Sequence, residues 1–78
     1  MIKEYNTIER IAGPLVFVKN TKNVRFQEVV QIKMPDGSIK NGEVLEVSED
    51  TAVIQVFEGT TGIDIKKSSV RFLEKTIK

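Results

Sequence analysis

The side chains that most often carry out nucleophilic catalysis or bind zinc are missing from this sequence. Its 78 residues include neither cysteine nor histidine. A nucleophile needs an adjacent base and a group that orients that base, and the usual dyads and triads are built with Cys or His. Zinc sites also need Cys or His, with carboxylates as a supplement. The serines stand in turn-like segments, where serine is common: Ser38, Ser48, Ser68 and Ser69. We therefore expect neither a hydrolase nor a zinc protein.

The acidic residues do not form a convincing catalytic or calcium-binding set. A calcium site needs several closely spaced carboxylates, and Glu49 and Asp50 are only a pair in a polar turn. Glycoside chemistry uses two carboxylates that face each other across a cleft, for which Glu43, Glu46 and Glu58 are the candidates. Glu43 and Glu46 fall on opposite phases of one predicted strand. Charges that keep a small domain in solution are the simpler interpretation.

The glycines do not frame a phosphate-binding loop. The segment Gly59-Thr60-Thr61-Gly62 is followed by two lysines, but it lacks the glycine-lysine-hydroxyl order of such loops, and no helix is predicted after it. We expect no catalytic residue, no cofactor and no metal.

Nucleic-acid binding is the alternative function that the residues leave open. Small barrels often bind oligonucleotides through a basic face with stacking aromatic side chains. The candidates are Lys33, Lys40 and Arg71, with Tyr5, Phe26 and Phe57. However, 12 basic residues are balanced by 11 acidic ones, so the net charge is only +1. The basic residues are also interleaved with acidic ones, which weakens a positive surface.

The elements that would position any site read as strands throughout. Residues 28–34 place Val30, Ile32 and Met34 on one phase of a period-2 pattern, which predicts a half-buried strand. The turn sequence Pro-Asp-Gly-Ser follows at 35–38. A second strand is predicted over 39–48, with Ile39, Leu45 and Val47 in phase. Gly42 lies inside it, where a glycine often marks a bulge or a barrel bend.

The strand at 52–57 is apolar on both phases. Ala52, Ile54 and Val56 share one phase, while Val53 and Phe57 lie on the other. A strand that is apolar on both faces is buried on both, and a single small sheet has nothing to cover the second face. We expect Val53, Gln55 and Phe57 to point outward as a candidate subunit interface, with an apolar centre and a polar rim.

The remaining segments complete an all-β domain. Residues 7–12 and 15–18 predict strands on either side of Gly13-Pro14, residues 19–25 predict a polar loop, and the last strand begins near Val70. About six short strands with regular turn signals predict a small closed six-stranded β-barrel with Greek-key-like connections, forming one domain over 1–78. With no membrane-length apolar run and no signal sequence, the expected location is the cytoplasmic side.

Three stretches carry a family resemblance that covers almost the whole chain. They are YNTIERIAGPLVFV at 5–18, IKMPDGSIKNGEVLEV at 32–47 and AVIQVFEGTTGI at 52–63, followed by SSVRFL at 68–73. In order and spacing they resemble the beginning of the B subunit of the V/A-type rotary ATPases, in its archaeal or bacterial form. VFEGTTGI is the most specific part.

This resemblance implies a six-stranded barrel that stands beside the barrels of neighbouring A and B subunits in a crown of six. The crown holds the A/B hexamer together, and peripheral-stalk subunits dock near the B barrel. The B subunit is regulatory, within a peripheral membrane-associated complex that couples ATP synthesis or hydrolysis to hydrogen ion or other ion transport. The resemblance carries no nucleotide-binding residue onto this chain, so we expect a non-catalytic assembly domain that associates with barrels of the ring or with itself.

Two features depart from the family pattern. Position 74 is Glu, where the family often has Gly, and the sequence ends near where a linker to a nucleotide-binding domain would begin. These features suggest an excised or engineered domain.

Overall fold

A computed structural model describes residues 3–76, and the side chains of residues 3–75. The described chain forms seven strands and no helix. The strands are β1 (Lys3–Tyr5), β2 (Ile8–Ala12), β3 (Leu15–Val18), β4 (Glu28–Lys33), β5 (Ile39–Ser48), β6 (Thr51–Val56) and β7 (Ser69–Thr76). The all-β prediction is therefore confirmed. The short strand β1 was not predicted from the sequence.

The strands form one curled antiparallel sheet in the order β1-β7-β4-β5-β6-β3-β2. Hairpins connect β2 to β3, β4 to β5 and β5 to β6. Two longer connections, residues 19–27 and 57–68, join strands that are not neighbours. The two edge strands, β1 and β2, are separated by only Asn6 and Thr7 in the chain.

The concave face of the sheet holds the hydrophobic core, as the period-2 pattern requires. In β6, Ala52, Ile54 and Val56 point inward and are at most 1% exposed. The other buried apolar side chains in this core are Ile8, Val16, Val18, Val30, Ile32, Met34, Val44, Val70 and Phe72. Tyr5 closes the β1 edge, because its ring meets that of Phe72 edge-to-face at a centroid distance of 5.4 Å.

A β-bulge at Leu45 changes the phase of β5. Pairing with β6 is regular up to Val44 and resumes at Glu46, so Leu45 is the extra residue. Glu43 pairs with Gln55, and Glu46 with Val53, two residues along β6. The prediction that Glu43 and Glu46 lie on opposite faces was therefore wrong, since the bulge brings both onto the outer face.

The expected apolar phase of β5 was also wrong. Ile39, Leu45 and Val47 are each 40–42% exposed, and it is Gly42 and Val44 that face the core. Gly42 does not mark the bulge. A Cβ atom at position 42 would lie 2.4 Å from the carbonyl oxygen of Gln55, so glycine is required there by the close approach of β6.

The two ends of the sheet differ in backbone strain. At the end with the 34–38 turn and the 57–68 connection, all described residues with positive φ are glycines: Gly13, Gly37, Gly59 and Gly62. At the opposite end they are Asn20, Asn23, Gln27, Glu49 and Glu74. A left-handed conformation costs a residue with a side chain roughly 1–2 kcal/mol, less for Asn. We call this second end the strained end.

A buried carboxylate joins two segments at the strained end. The Glu28 side chain is 2% exposed, and its two oxygens accept hydrogen bonds from different parts of the chain. Oε1 accepts from the backbone N–H of Arg25 at 3.0 Å, and Oε2 accepts from the backbone N–H of Glu74 at 2.8 Å. Glu28 therefore ties the 19–27 connection to the last strand, beside two left-handed residues, Gln27 and Glu74. We call this arrangement the Glu28 clamp.

Candidate subunit interface

The predicted interface residues lie on the convex side of β6, but they differ in accessibility. Phe57 follows the strand and is 53% exposed, while Gln55 is exposed in the middle of it. Val53 belongs to the same phase yet is only 9% exposed, because neighbouring strands already cover it. Phe57 and Gln55 therefore offer most of the accessible surface, and Val53 supports them from beneath.

Cross-strand pairing defines the neighbours of these residues. Gln55 stands between Leu15 of β3 and Glu43 of β5. Directly opposed residues on one face of an antiparallel sheet have their Cβ atoms roughly 4.5–5.5 Å apart, so they form continuous rows. We call this surface, with Phe57 at one end, the β3–β6 face. Its centre is apolar or uncharged and it is bordered by carboxylates, as a protein interface requires.

A cation–π contact completes the row that covers Val53. Val53 pairs with Phe17 of β3 and with Glu46 of β5. The guanidinium of Arg10 lies over the Phe17 ring, with its Cζ atom 3.8 Å from the ring centroid. This stack explains why Val53 is covered. No sequence pattern indicated the stack, because the bulge between Ile8 and Arg10 sets the pairing.

The connection after Phe57 is held firmly at the glycine-rich end. The backbone N–H of Phe57 donates to the Asn41 carbonyl at 3.0 Å, one residue beyond β6. Thr60 Oγ1 donates to the Gly13 carbonyl at 2.6 Å, and Lys40 Nζ donates to the Gly59 carbonyl at 3.1 Å. Phe57 is thus displayed from a backbone with little freedom, which lowers the entropy cost of binding.

The same connection ends in a turn organised by Asp64. Its Oδ1 accepts hydrogen bonds from the backbone N–H groups of Lys66 at 2.8 Å and Lys67 at 2.9 Å. These bonds favour the ionised form and hold the pKa of the Asp64 carboxyl below its ordinary value. Ser68 Oγ in turn accepts from the Asp64 N–H at 2.9 Å. Asp64 is therefore a turn residue in this fold.

The described residues offer no constellation for catalysis or metal binding. Among residues 3–76 no group of three or more His, Cys, Asp or Glu side chains could hold a metal ion. An open cleft borders Glu4, Tyr5, Asn6 and Thr7. These four residues include no nucleophile paired with a base, so the cleft does not suggest a reaction.

The candidate nucleic-acid residues do not form one surface. Tyr5 packs on the core, and its hydroxyl accepts a hydrogen bond from the backbone N–H of Lys22 at 3.1 Å. Arg71 Nε lies 3.6 Å from Glu4 Oε1, and Lys40 is bonded to the chain itself. Phe57 and Phe26 are exposed at opposite ends of the sheet. The geometry therefore gives no basic platform with stacked aromatics.

An all-β curled sheet with an outer protein-binding face, and without a catalytic set among its described residues, is typical of a structural barrel domain. Residues 8–74 match the family model described as "ATP synthase alpha/beta family, beta-barrel domain". The chain belongs to this family.

The curated relatives narrow the comparison to one kind of subunit. The chain is 56% identical over 78 residues to the B subunit of A-type ATP synthase from Methanosarcina barkeri, matching all of this chain and 17% of the relative. It is 53% identical over 78 residues to the same protein of Methanosarcina acetivorans, again 100% of this chain and 17% of the relative. For the B subunit designated 1 of Methanospirillum hungatei the values are 54% over 77 residues, 99% and 16%.

These comparisons confirm the resemblance to the B subunit. They also bear on its extent, because the chain spans only about one sixth of the length of the curated relatives it matches. Within residues 3–76, no helix is long and apolar enough to span a membrane.

Proposed function

We propose that this chain is a non-catalytic assembly domain of the regulatory B subunit of a V/A-type rotary ATPase. In this role it stands in a crown of barrels and holds the A/B hexamer together. The observation that carries the proposal is the match of residues 8–74 to the barrel-domain model, together with 53–56% identity to B subunits of A-type ATP synthases. The parent complex would couple ATP synthesis or hydrolysis to ion transport.

We infer that the β3–β6 face makes the lateral contact with the barrel of a neighbouring A subunit. Phe57 supplies an accessible aromatic anchor, and Tyr, Trp and Phe are enriched at interface cores. Gln55 beside it can exchange hydrogen bonds, while Glu43 lies at the rim. Val53 contributes through packing, because only 9% of its own surface is exposed.

The curled sheet also supports closure into a single six-stranded barrel domain. β1 pairs with β7 at one end of the strand order, β2 pairs with β3 at the other, and only Asn6 and Thr7 lie between the two edge strands. Counting β1 and β2 as one bent strand gives six strands around a closed barrel. Closure would remove the two exposed edges, which otherwise invite aggregation. Long-range nuclear Overhauser contacts for both β1–β7 and β2–β3 in the monomer would support closure, and loss of either set would contradict it.

The proposed setting is the cytoplasmic side, within a complex attached to the membrane through other subunits. Neighbouring A and B barrels are the expected partners, and peripheral-stalk subunits are further candidates. The chain itself needs no cofactor for this role. Measurable ATP turnover by the purified chain would contradict the non-catalytic part of the proposal.

A chimera tests the assembly role directly. The matching N-terminal segment of the Methanosarcina barkeri B subunit is replaced by this chain, and the chimera is expressed with its A subunit. We expect an A/B hexamer by native mass spectrometry, and loss of the hexamer when the barrel is deleted. A B subunit without its barrel that assembles as well as the chimera would show that the domain is not needed for assembly.

Two variants of the chimera test the interface. Phe57→Ser should weaken hexamer formation about tenfold or more, since truncating an aromatic anchor commonly costs about 2 kcal/mol or more. Ile65→Ser is the matched control, because Ile65 is also a large exposed apolar residue, 42% exposed, but lies outside the β3–β6 face. Equal effects of the two substitutions would contradict the assignment of this face.

A further inference from the structure

A second accessible apolar surface lies towards the strained end of the sheet. Phe26 is 60% exposed, the highest value among the large apolar side chains of the described residues, and Leu45 is 42% exposed. The two are neighbours, because the backbone N–H of Gln27 donates to the carbonyl of Val44 at 2.8 Å. We call Phe26 and Leu45 the Phe26 surface.

The backbone presents both side chains through irregular features rather than through strand alternation. Leu45 is the extra residue of the β5 bulge, and bulges re-aim side chains. Phe26 precedes Gln27, whose φ is 66°, and follows Arg25, whose N–H is held by the Glu28 clamp. Two independent distortions therefore turn two apolar side chains to the same exposed place.

Backbone strain is concentrated around this surface. The left-handed residues with side chains all lie at the strained end, and strained backbone persists only where its surroundings over-determine it. Here the hydrogen bonds of the Glu28 clamp and the Gln27–Val44 bond hold the conformation. A surface fixed in this way loses little entropy when it binds a partner.

We propose that the Phe26 surface binds a second copy of this chain about a two-fold axis. Opposite charges stand at its two sides, with Arg25 next to Phe26 and Glu46 next to Leu45. Neither forms an ion pair within residues 3–76, although Arg25 lies within electrostatic range of the Glu74 carboxylate. In an isologous contact, Arg25 of one copy faces Glu46 of the other, and the reverse pair forms by symmetry.

The overall charge also favours a second copy as the partner. Each chain carries a net charge of only +1, so two copies repel each other weakly, and a net charge near zero promotes self-association. Small domains without disulfides or structural metals are commonly stabilised by oligomerisation. This proposal does not rest on the assembly role, since the Phe26 surface and Phe57 lie towards opposite ends of the sheet.

The expected affinity is modest. Specific interfaces usually bury about 1,200–2,000 Å² in total, and a surface centred on two side chains is smaller. We expect a dissociation constant between about 0.1 and 1 mM. Sedimentation equilibrium of the purified chain from about 20 µM to about 1 mM should show the mass rising from 8.8 kDa towards that of a dimer.

Matched substitutions test whether this surface is responsible. Phe26→Ser and Leu45→Ser should each weaken the dimer about tenfold or more, while Ile65→Ser should not. Leu45 and Ile65 are both 42% exposed, so the comparison separates a specific contact from general hydrophobic association. Circular dichroism and thermal melts verify that each variant is folded. If all three substitutions weaken association equally, the assigned surface is wrong.

Charge reversal tests the symmetry. Arg25→Glu and Glu46→Arg should each reduce self-association, because each variant brings like charges together across the axis. An equimolar mixture of the two variants should associate again, since both cross-pairs then have opposite charges. A mixture that stays monomeric would overturn the two-fold arrangement. A parent chain that is monomeric at about 1 mM would overturn self-association itself, and a loss of hexamer in the Phe26→Ser chimera would then assign the surface to another component of the complex.

Discussion

Removing the acceptors of the Glu28 clamp should cost this small domain a large part of its stability. A domain of 78 residues is expected to have a free energy of unfolding of about 4–12 kcal/mol. Each hydrogen bond to a charged group contributes about 1.5–3 kcal/mol net, and Glu28 accepts two, from Arg25 and Glu74. We expect Glu28→Ala to lower the free energy of unfolding by about 4 kcal/mol, because two buried N–H groups lose their acceptor.

The isosteric substitution separates hydrogen bonding from packing. Glu28→Gln keeps the side-chain volume and one acceptor oxygen but points an amide N–H₂ at one of the two donors. We expect a loss of about 2 kcal/mol from urea denaturation, with an unchanged m-value. Faster hydrogen exchange at the amides of Arg25 and Glu74 should accompany it.

The matched control makes the same chemical change on the surface. Glu46→Gln should alter the free energy of unfolding by less than about 0.5 kcal/mol, because Glu46 is exposed and forms no described ion pair. If Glu28→Gln were as neutral as Glu46→Gln, the Glu28 carboxylate would not act as a clamp. If Glu28→Gln and Glu28→Ala were equally damaging, the single remaining acceptor would contribute nothing.

Three further predictions concern the backbone and its turns, and each is checked by denaturation. Gly42→Ala should destabilise by about 1–3 kcal/mol or more, because the new Cβ meets the Gln55 carbonyl oxygen. Glu74→Gly should be about 1 kcal/mol more stable than Glu74→Ala, since both remove the side-chain interactions but only glycine relieves a φ of 61°. The pKa of Asp64 is lowered from 3.8, so its charge stabilises the fold above that pH and the contribution is lost as the pH falls through the folded pKa. The stability difference between the parent and Asp64→Asn should therefore be constant from about pH 7 to 5 and shrink below about pH 4.

The strands were predictable where local alternation decides the structure. The predicted spans of β3 and β5 are those observed, and Ala52, Ile54 and Val56 of β6 lie in the core. Tertiary pairing decides the features that were missed. The bulge at Leu45 depends on the register with β6, and β1 is too short to show a periodicity before it pairs with β7.

The Glu28 clamp could not have been found from the sequence. Glu28 begins a strand after a polar loop, where a charged residue is normally solvated. Its burial follows from the irregular pairing of β4 with β7 between Glu28 and Val30. The resemblance did carry one hint, because a position where the family often has Gly is a candidate for positive φ. Glu74 has that conformation, and its N–H is bound by the clamp.

The two exposed phenylalanines therefore have different physical origins. Phe57 is exposed because strand alternation places it on the outer phase of β6, so the sequence pattern was sufficient to nominate it. Phe26 is exposed because a strained connection, held by a buried carboxylate from another segment, leaves no core position for it. Pattern reasoning treats such a residue as core, since five aromatic side chains in a small β domain are most simply buried. An aromatic side chain kept outside by costly backbone geometry is better explained by contact with a partner than by chance exposure.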